Sequence, residues 1–148
     1  MRHFNIEEPD KIDRYLRRLT QKVKKANVKI SEHFYSNMPH LFLDMYDCST
    51  PVNKRTLLEF LLESPKRIGM QIAAPPLFYR NHGLIPIKES HISVHSSNNC
   101  VSIDIFSCRP FDVGVATNYA LEYFKPQAFD IELLYLAKSA TKTMMVKA

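Results

Sequence analysis

The chain has no tryptophan and only three glycines in 148 residues, too few for the glycine-rich loops that cradle phosphates in nucleotide-binding folds. Its three cysteines, Cys48, Cys100 and Cys108, are odd in number and lack Cys-x-x-Cys spacing. Neither a disulfide framework nor a zinc site is expected, so each is read as a free thiol and no metal is assigned. No apolar run approaches the roughly 20 residues that cross a bilayer, and Met1-Arg2-His3 is not followed by an apolar signal core. A cytoplasmic protein without membrane contact is the expectation. Internal repeats and low-complexity segments are also absent.

With 45% hydrophobic residues, the chain suits one globular domain able to bury a core. The net charge of +5 is unevenly spread: residues 1–40 hold nine Lys or Arg against five acids, and the rest is almost neutral. That asymmetry sets a basic N-terminal extension, residues 1–39, apart from a body of residues 40–148. In the extension, Ile12, Tyr15, Leu16, Leu19 and Val23 recur at helical spacing while Lys11, Arg14, Arg18, Lys22 and Lys25 cover other faces. A basic amphipathic helix over Pro9–Ala26 follows, docked on the body or on a dimer partner with its charged face in solvent. RNA or membrane contact is the alternative, and nucleic acid is not the expected partner.

The body opens with a half-buried strand, His40 to Asp47. A helix capped by Ser49, with Pro51 in its first turn and Leu57, Leu58, Leu61 and Leu62 on its apolar face, ends at Ser64-Pro65. A strand from Ile68 to Tyr79 is bent or held to an edge by Pro75-Pro76, and Asn81-His82-Gly83 makes a turn. Strands Leu84–Ser96 and Val101–Ser107 flank a tight hairpin whose Asn98-Asn99 pair tolerates positive φ. A helix, Asp112–Phe124, and a strand through Phe129, Ile131, Leu133 and Tyr135 complete the order β-α-β-β-β-α-β. The expected fold class is α+β: one antiparallel or mixed sheet with helices on one face, a two-layer sandwich with an N-terminal helical extension.

Glu89-Ser90-His91-Ile92-Ser93-Val94-His95 packs one acid, two hydroxyls and two imidazoles into seven residues of a strand. With a two-residue turn at Asn98-Asn99, facing residues sum to 197. Glu89, His91, Ser93, His95, Asp104 and Cys108 then share one face, and Ile92, Val94, Val101, Ile103 and Ile105 the other. A polar strand face is most often the wet side of a sheet. Such a face usually carries Lys, Glu, Thr and Arg, whereas this one is rich in proton-transfer and nucleophilic groups. A hydrolase triad of Ser, His and Asp104 has the right residue types, but no nucleophile elbow accompanies it.

Glu-Ser-His-Ile-Ser-Val-His followed by Asp-Ile-Phe-Ser-Cys resembles the self-cleavage region of the short, prokaryotic S-adenosylmethionine decarboxylases. His-Leu-Phe-Leu-Asp-Met-Tyr-Asp-Cys is similar to that family's first strand, and Gly83 matches a glycine before its cleavage strand. The likeness covers residues 40 to 138 and leaves out the extension. It implies a proenzyme that cuts itself between Glu89 and Ser90, the Ser90 hydroxyl attacking the preceding carbonyl. His95 matches the residue that promotes β-elimination, and Ser90 becomes a covalent pyruvoyl group. That ketone would form a Schiff base with the substrate amine and withdraw electrons from it, so that neither pyridoxal phosphate nor metal is needed. Cys108 matches the thiol that returns a proton to the product carbon, and Tyr46 and Asp47 the aromatic and acidic pair near the substrate. A regular pleat would put Ser90 on the face opposite Cys108 and His95, so a break in the strand is expected at Glu89-Ser90.

Two departures bear on substrate. The family's Trp-Pro-Glu, whose glutamate holds ribose hydroxyls, is replaced by a shorter Ser96-Ser97-Asn98-Asn99. His82 stands where the family has a serine. The resemblance implies decarboxylation of S-adenosylmethionine for polyamine, specifically spermidine, synthesis. A chain of 148 residues gives a small, one-sided layer, so a homodimer is expected. A pyruvoyl-dependent arginine or ornithine decarboxylase is the first alternative and an unprocessed, non-catalytic homologue the second.

Overall fold

The computed structural model describes residues 1–30, 38–88, 90–138 and 143–147. Period-two alternation sets the layers. Leu41, Leu43 and Met45 point into the core, as do Ile92 and Val94, Val101, Ile103 and Ile105, and Phe129, Ile131 and Leu133, all at most 2% exposed. The elements are β1 (Arg2–Asn5), α1 (Pro9–Ile30), β2 (Met38–Tyr46), α2 (Lys54–Arg67), β3 (Leu77–Tyr79), β4 (His82–Ile87), β5 (Ser90–Ser97), β6 (Cys100–Ser107), α3 (Val113–Phe124), β7 (Ala128–Lys138) and β8 (Thr143–Lys147). They form one sheet in the order β1-β7-β2-β6-β5-β4-β3, with β8 also on β7, and every pairing is antiparallel. Apolar residues of all three helices join a single core with the sheet: Ile12, Leu16 and Leu19, then Leu57, Phe60 and Leu61, then Val113, Ala120 and Phe124. Burial of each of these side chains other than Ala120 contributes roughly 1.5–3 kcal/mol. This is the expected two-layer α+β fold, and among the described residues no helix covers the other sheet face.

The extension shares this core. Phe4 of β1 stacks on Phe129 with ring centroids 5.4 Å apart. The helix α1 runs on to Ile30, beyond the expected Ala26, and packs against α3. The side chains of Lys22, Val23, Lys25 and Tyr135 lie outside the described ones.

Several local expectations need correction. Asn53, not Ser49, caps α2: its Oδ1 accepts from Thr56 N while Thr56 Oγ1 accepts from Asn53 N, a reciprocal pair that satisfies two donors at once. Ser49 N instead donates to Lys125 O. Pro65 lies inside the helix, in its last turn, and the chain leaves through Gly69 at φ 72°. The expected strand Ile68–Tyr79 shrinks to β3 and an isolated bridge between Ile72 and Ile87, because Pro75 and Pro76 cannot donate to a ladder. The expected strand Leu84–Ser96 is two antiparallel strands, β4 and β5. Ile85 and Ile87 face the core at odd positions, Ile92 and Val94 at even ones, and no single strand allows that change of parity.

Candidate active site

The β5–β6 register is the expected one: Ser90 faces Ser107, His91 Phe106, Ser93 Asp104, His95 Ser102 and Ser97 Cys100. Asn98 takes the turn at φ 53°. His91, Ser93 and His95 share the uncovered face with Asp104 and Phe106, but the chemistry sorts to opposite ends of the hairpin.

At one end stand Ser90 and Cys108. Ile87 and Ser90 face each other as Cα partners, so the chain reverses over two residues and the pleat does not run through the junction. Glu89 lies outside the described residues. Ser90 has φ 156°, a region essentially reserved for glycine that costs on the order of 1–3 kcal/mol. Its Oγ lies 3.2 Å from His91 Nδ1, in hydrogen-bond contact. Across the ladder, Ser107 is fully buried and makes a tight turn: its Oγ donates to Arg109 O at 2.6 Å and accepts from Arg109 N at 3.0 Å. That turn holds Cys108 exposed, one residue past the partner of Ser90. Arg109 Nη2 donates to Gly69 O at 2.9 Å and ties this end to the loop after α2.

At the other end stand His95, Tyr46 and Asp47. His95 is exposed and lies five positions along β5 from Ser90, about 17 Å at the strand rise of about 3.3 Å per residue. Its Nδ1 meets His82 Nδ1 at 2.5 Å, with the rings edge to face. Tyr46 donates to Asp130 Oδ2 at 2.8 Å. That hydrogen bond to a carboxylate, followed by burial, pushes the phenol up to about 12. The imidazole of His3 donates to the other Asp130 oxygen at 2.6 Å, so the extension reaches the uncovered face. Asp47 is exposed at φ 51°, and Cys48 N donates to Asn99 O at 2.8 Å, holding this loop against the Asn98-Asn99 turn. Cys48 itself is buried, which pushes its thiol up to about 11.

Between the two ends lies a cluster that sequence reasoning missed. His40 Nε2 donates to Asp104 Oδ1 at 2.5 Å, and its ring packs on Phe42 and Phe106, with centroids at 4.2 and 5.0 Å. Phe106 also approaches His91, at 6.0 Å. The signal was present: His40 and Phe42 alternate with Leu41 and Leu43, so a buried odd set places an aromatic, titratable even set on the uncovered face. Among the described residues, no group of three or more His, Cys, Asp or Glu could hold a metal ion, and no helix is long and apolar enough to cross a membrane.

The profile of a protein family described as S-adenosylmethionine decarboxylase matches residues 39–134. The fold is similar to the crystal structure of the adenosylmethionine decarboxylase from Aquifex aeolicus VF5, with a TM-score of 0.62 and 15% identity, over 74% of this chain and 98% of that one. At that identity the likeness concerns the fold. No curated protein matches the chain in sequence.

Proposed function

The chain belongs to the S-adenosylmethionine decarboxylase family, a family of carboxy-lyases, and on that premise we propose that it cleaves itself at Glu89-Ser90 and decarboxylates S-adenosylmethionine for polyamine synthesis. The observation that carries this reading is the strained backbone of Ser90 at a chain reversal, one ladder position from the exposed thiol of Cys108.

In the first step Ser90 Oγ attacks the Glu89 carbonyl and the peptide C–N bond gives way to an ester. His91 Nδ1, 3.2 Å from Oγ, is placed to take the hydroxyl proton. A base then removes the Cα proton of residue 90. The electron pair forms the Cα–Cβ double bond and the Cβ–O bond breaks, leaving the Glu89 carboxylate. Water converts the resulting dehydroalanine to a ketone and ammonia is lost, giving chains 1–89 and 90–148. Cleavage frees position 90 from its strained φ, so the site is suited to hold the product.

The ketone supplies an electron sink for the carbanion left by carbon dioxide loss. The chain's own residues do the rest. Cys108 gives a proton to the product carbon, and the aromatic surface of Phe42, His40 and Phe106 offers a planar group a face to stack on. Asp47, beside the Asn98-Asn99 turn, supplies a carboxylate near where the family's ribose-binding glutamate is missing.

His95 fits the role of base in the elimination, yet in its own chain it stands about 17 Å from Ser90 along the strand. We therefore infer a homodimer in which a second copy covers the open sheet face and brings its His95 end over the Ser90 end of the first. The missing turn carboxylate favours a second reading, a basic amino acid as substrate. Carbon dioxide release from S-adenosylmethionine, arginine and ornithine, assayed side by side, tests the choice: release from S-adenosylmethionine alone is the expected result, and release from arginine or ornithine alone overturns it.

A further inference from the structure

We propose that His82 is a positioning residue that fixes the tautomer of His95. The two are Cα partners across β4 and β5. Their Nδ1 atoms lie 2.5 Å apart, and the ring centroids 4.6 Å apart at an interplanar angle of 60°. Asn81 O accepts from Ser96 N at 3.0 Å and so clamps the strands beside the pair.

A contact between two Nδ1 atoms holds one proton: one ring donates and the other accepts through its lone pair. When His95 Nδ1–H donates to His82 Nδ1, the only remaining ring nitrogen of His95, Nε2, carries a lone pair. That nitrogen is the one not engaged with His82, on a side chain that is exposed. A base that removes the Cα proton of Ser90 needs that lone pair, and the Nδ1–H tautomer supplies it. Where the family has a serine hydroxyl, this chain has a second imidazole that accepts the Nδ1 proton. In the same row Tyr79 stands opposite His82 and Ser102 opposite His95, and the carboxylate of the row, Asp44, lies one strand further away, opposite Ser102.

The inference rests on His95 acting as the base in self-cleavage, and the test separates the two ideas. In the full chain carrying Ser90→Ala, which does not cleave, nitrogen NMR of labelled histidines reads the tautomer without any reaction. The expected spectrum shows His95 protonated at Nδ1 and not at Nε2, with a scalar coupling between the two Nδ1 atoms. His82→Leu removes the coupling and shifts His95 toward the Nε2–H form, whereas His82→Asn, whose amide oxygen accepts the same proton, keeps the Nδ1–H form. In the native background, His82→Leu slows self-cleavage on the order of 10²-fold and accumulates the ester, seen as hydroxylamine-sensitive chain. His82→Asn restores most of the rate. An Nε2–H tautomer for His95 in the Ser90→Ala chain overturns the proposal. So does self-cleavage of His82→Leu at the native rate while His95→Ala is inert. Native-rate cleavage in His95→Ala as well overturns the underlying role of His95 along with it.

Discussion

Ser90 and His95 occupy one strand, five positions apart, at opposite ends of the hairpin that also carries Cys108. A strand is rigid and extended, so no rotamer of His95 closes a gap of about 17 Å within one chain. In the proposed homodimer, two copies with their open faces together would solve the problem, and each pair of copies would have two equivalent sites. Ser90→Ala and His95→Ala chains, each unable to mature alone, are therefore expected to complement. Refolded as a mixture, they should yield a cleaved His95→Ala chain in the heterodimer, read by intact mass. A mixture in which neither chain is cut contradicts the shared site.

Cys108 is held in solvent by the Ser107–Arg109 turn, and in the proposed reaction it takes no part in the cleavage step. Cys108→Ala should cleave at close to the native rate and lose turnover on the order of 10²-fold, the usual weight of one proton donor. Cleavage kinetics by gel and carbon dioxide release on the same sample check both halves. Full turnover in the variant removes the thiol from the reaction.

Tyr46 and Tyr123 both hold their protons up to about 12, against an ordinary 10.0. For Tyr46 the Asp130 hydrogen bond is the main cause; for Tyr123 burial leads and the Glu59 hydrogen bond follows. The folded state binds these protons more tightly than the unfolded chain. Their stabilisation is thus complete below about pH 10 and is lost as pH rises through about 12. Denaturant unfolding across that range should show falling stability, and the phenolate absorbance missing from Tyr46→Phe should appear at lower pH in Asp130→Asn. Tyr46 ionising at its ordinary value in the native protein would contradict the assignment.

Gly83 leaves no room for a side chain. A Cβ there would lie 2.6 Å from Phe78 Cε1 and 2.8 Å from Leu61 Cδ1. Gly83→Ala is expected to destabilise by about 1–3 kcal/mol through overpacking, measured by denaturant unfolding. A neutral effect would mean that the β3 edge yields without cost.

Much of this was legible in the residues. The β5–β6 register followed from the two-residue turn at Asn98-Asn99, and the alternation of Ile92 and Val94 against Val101, Ile103 and Ile105 agrees with it, because a one-residue slip would turn one strand's apolar set into solvent. The helix expected over Asp112–Phe124 is α3 but for its first residue, which caps it: Asp112 Oδ1 accepts from Val115 N. The split between β4 and β5 was misread, although the parity change between Ile87 and Ile92 recorded it. Lys88 and Glu89 carry none of the glycine or asparagine that usually marks a tight turn, which hid the reversal. The strand β1 escaped notice because four residues give too short a pattern to read, and its pairing with β7 is a contact between distant parts of the chain. The pairing of His82 with His95 likewise needs the β4–β5 register, which a single long strand denies.

The most direct test of self-cleavage at Ser90 is the intact mass of the native protein before and after borohydride. We predict two chains, residues 1–89 and 90–148, with the second lacking the ammonia of a serine amine and gaining hydride at its terminal ketone. One uncut chain of 148 residues that nonetheless releases carbon dioxide from S-adenosylmethionine at full rate, inert to borohydride, would contradict the account.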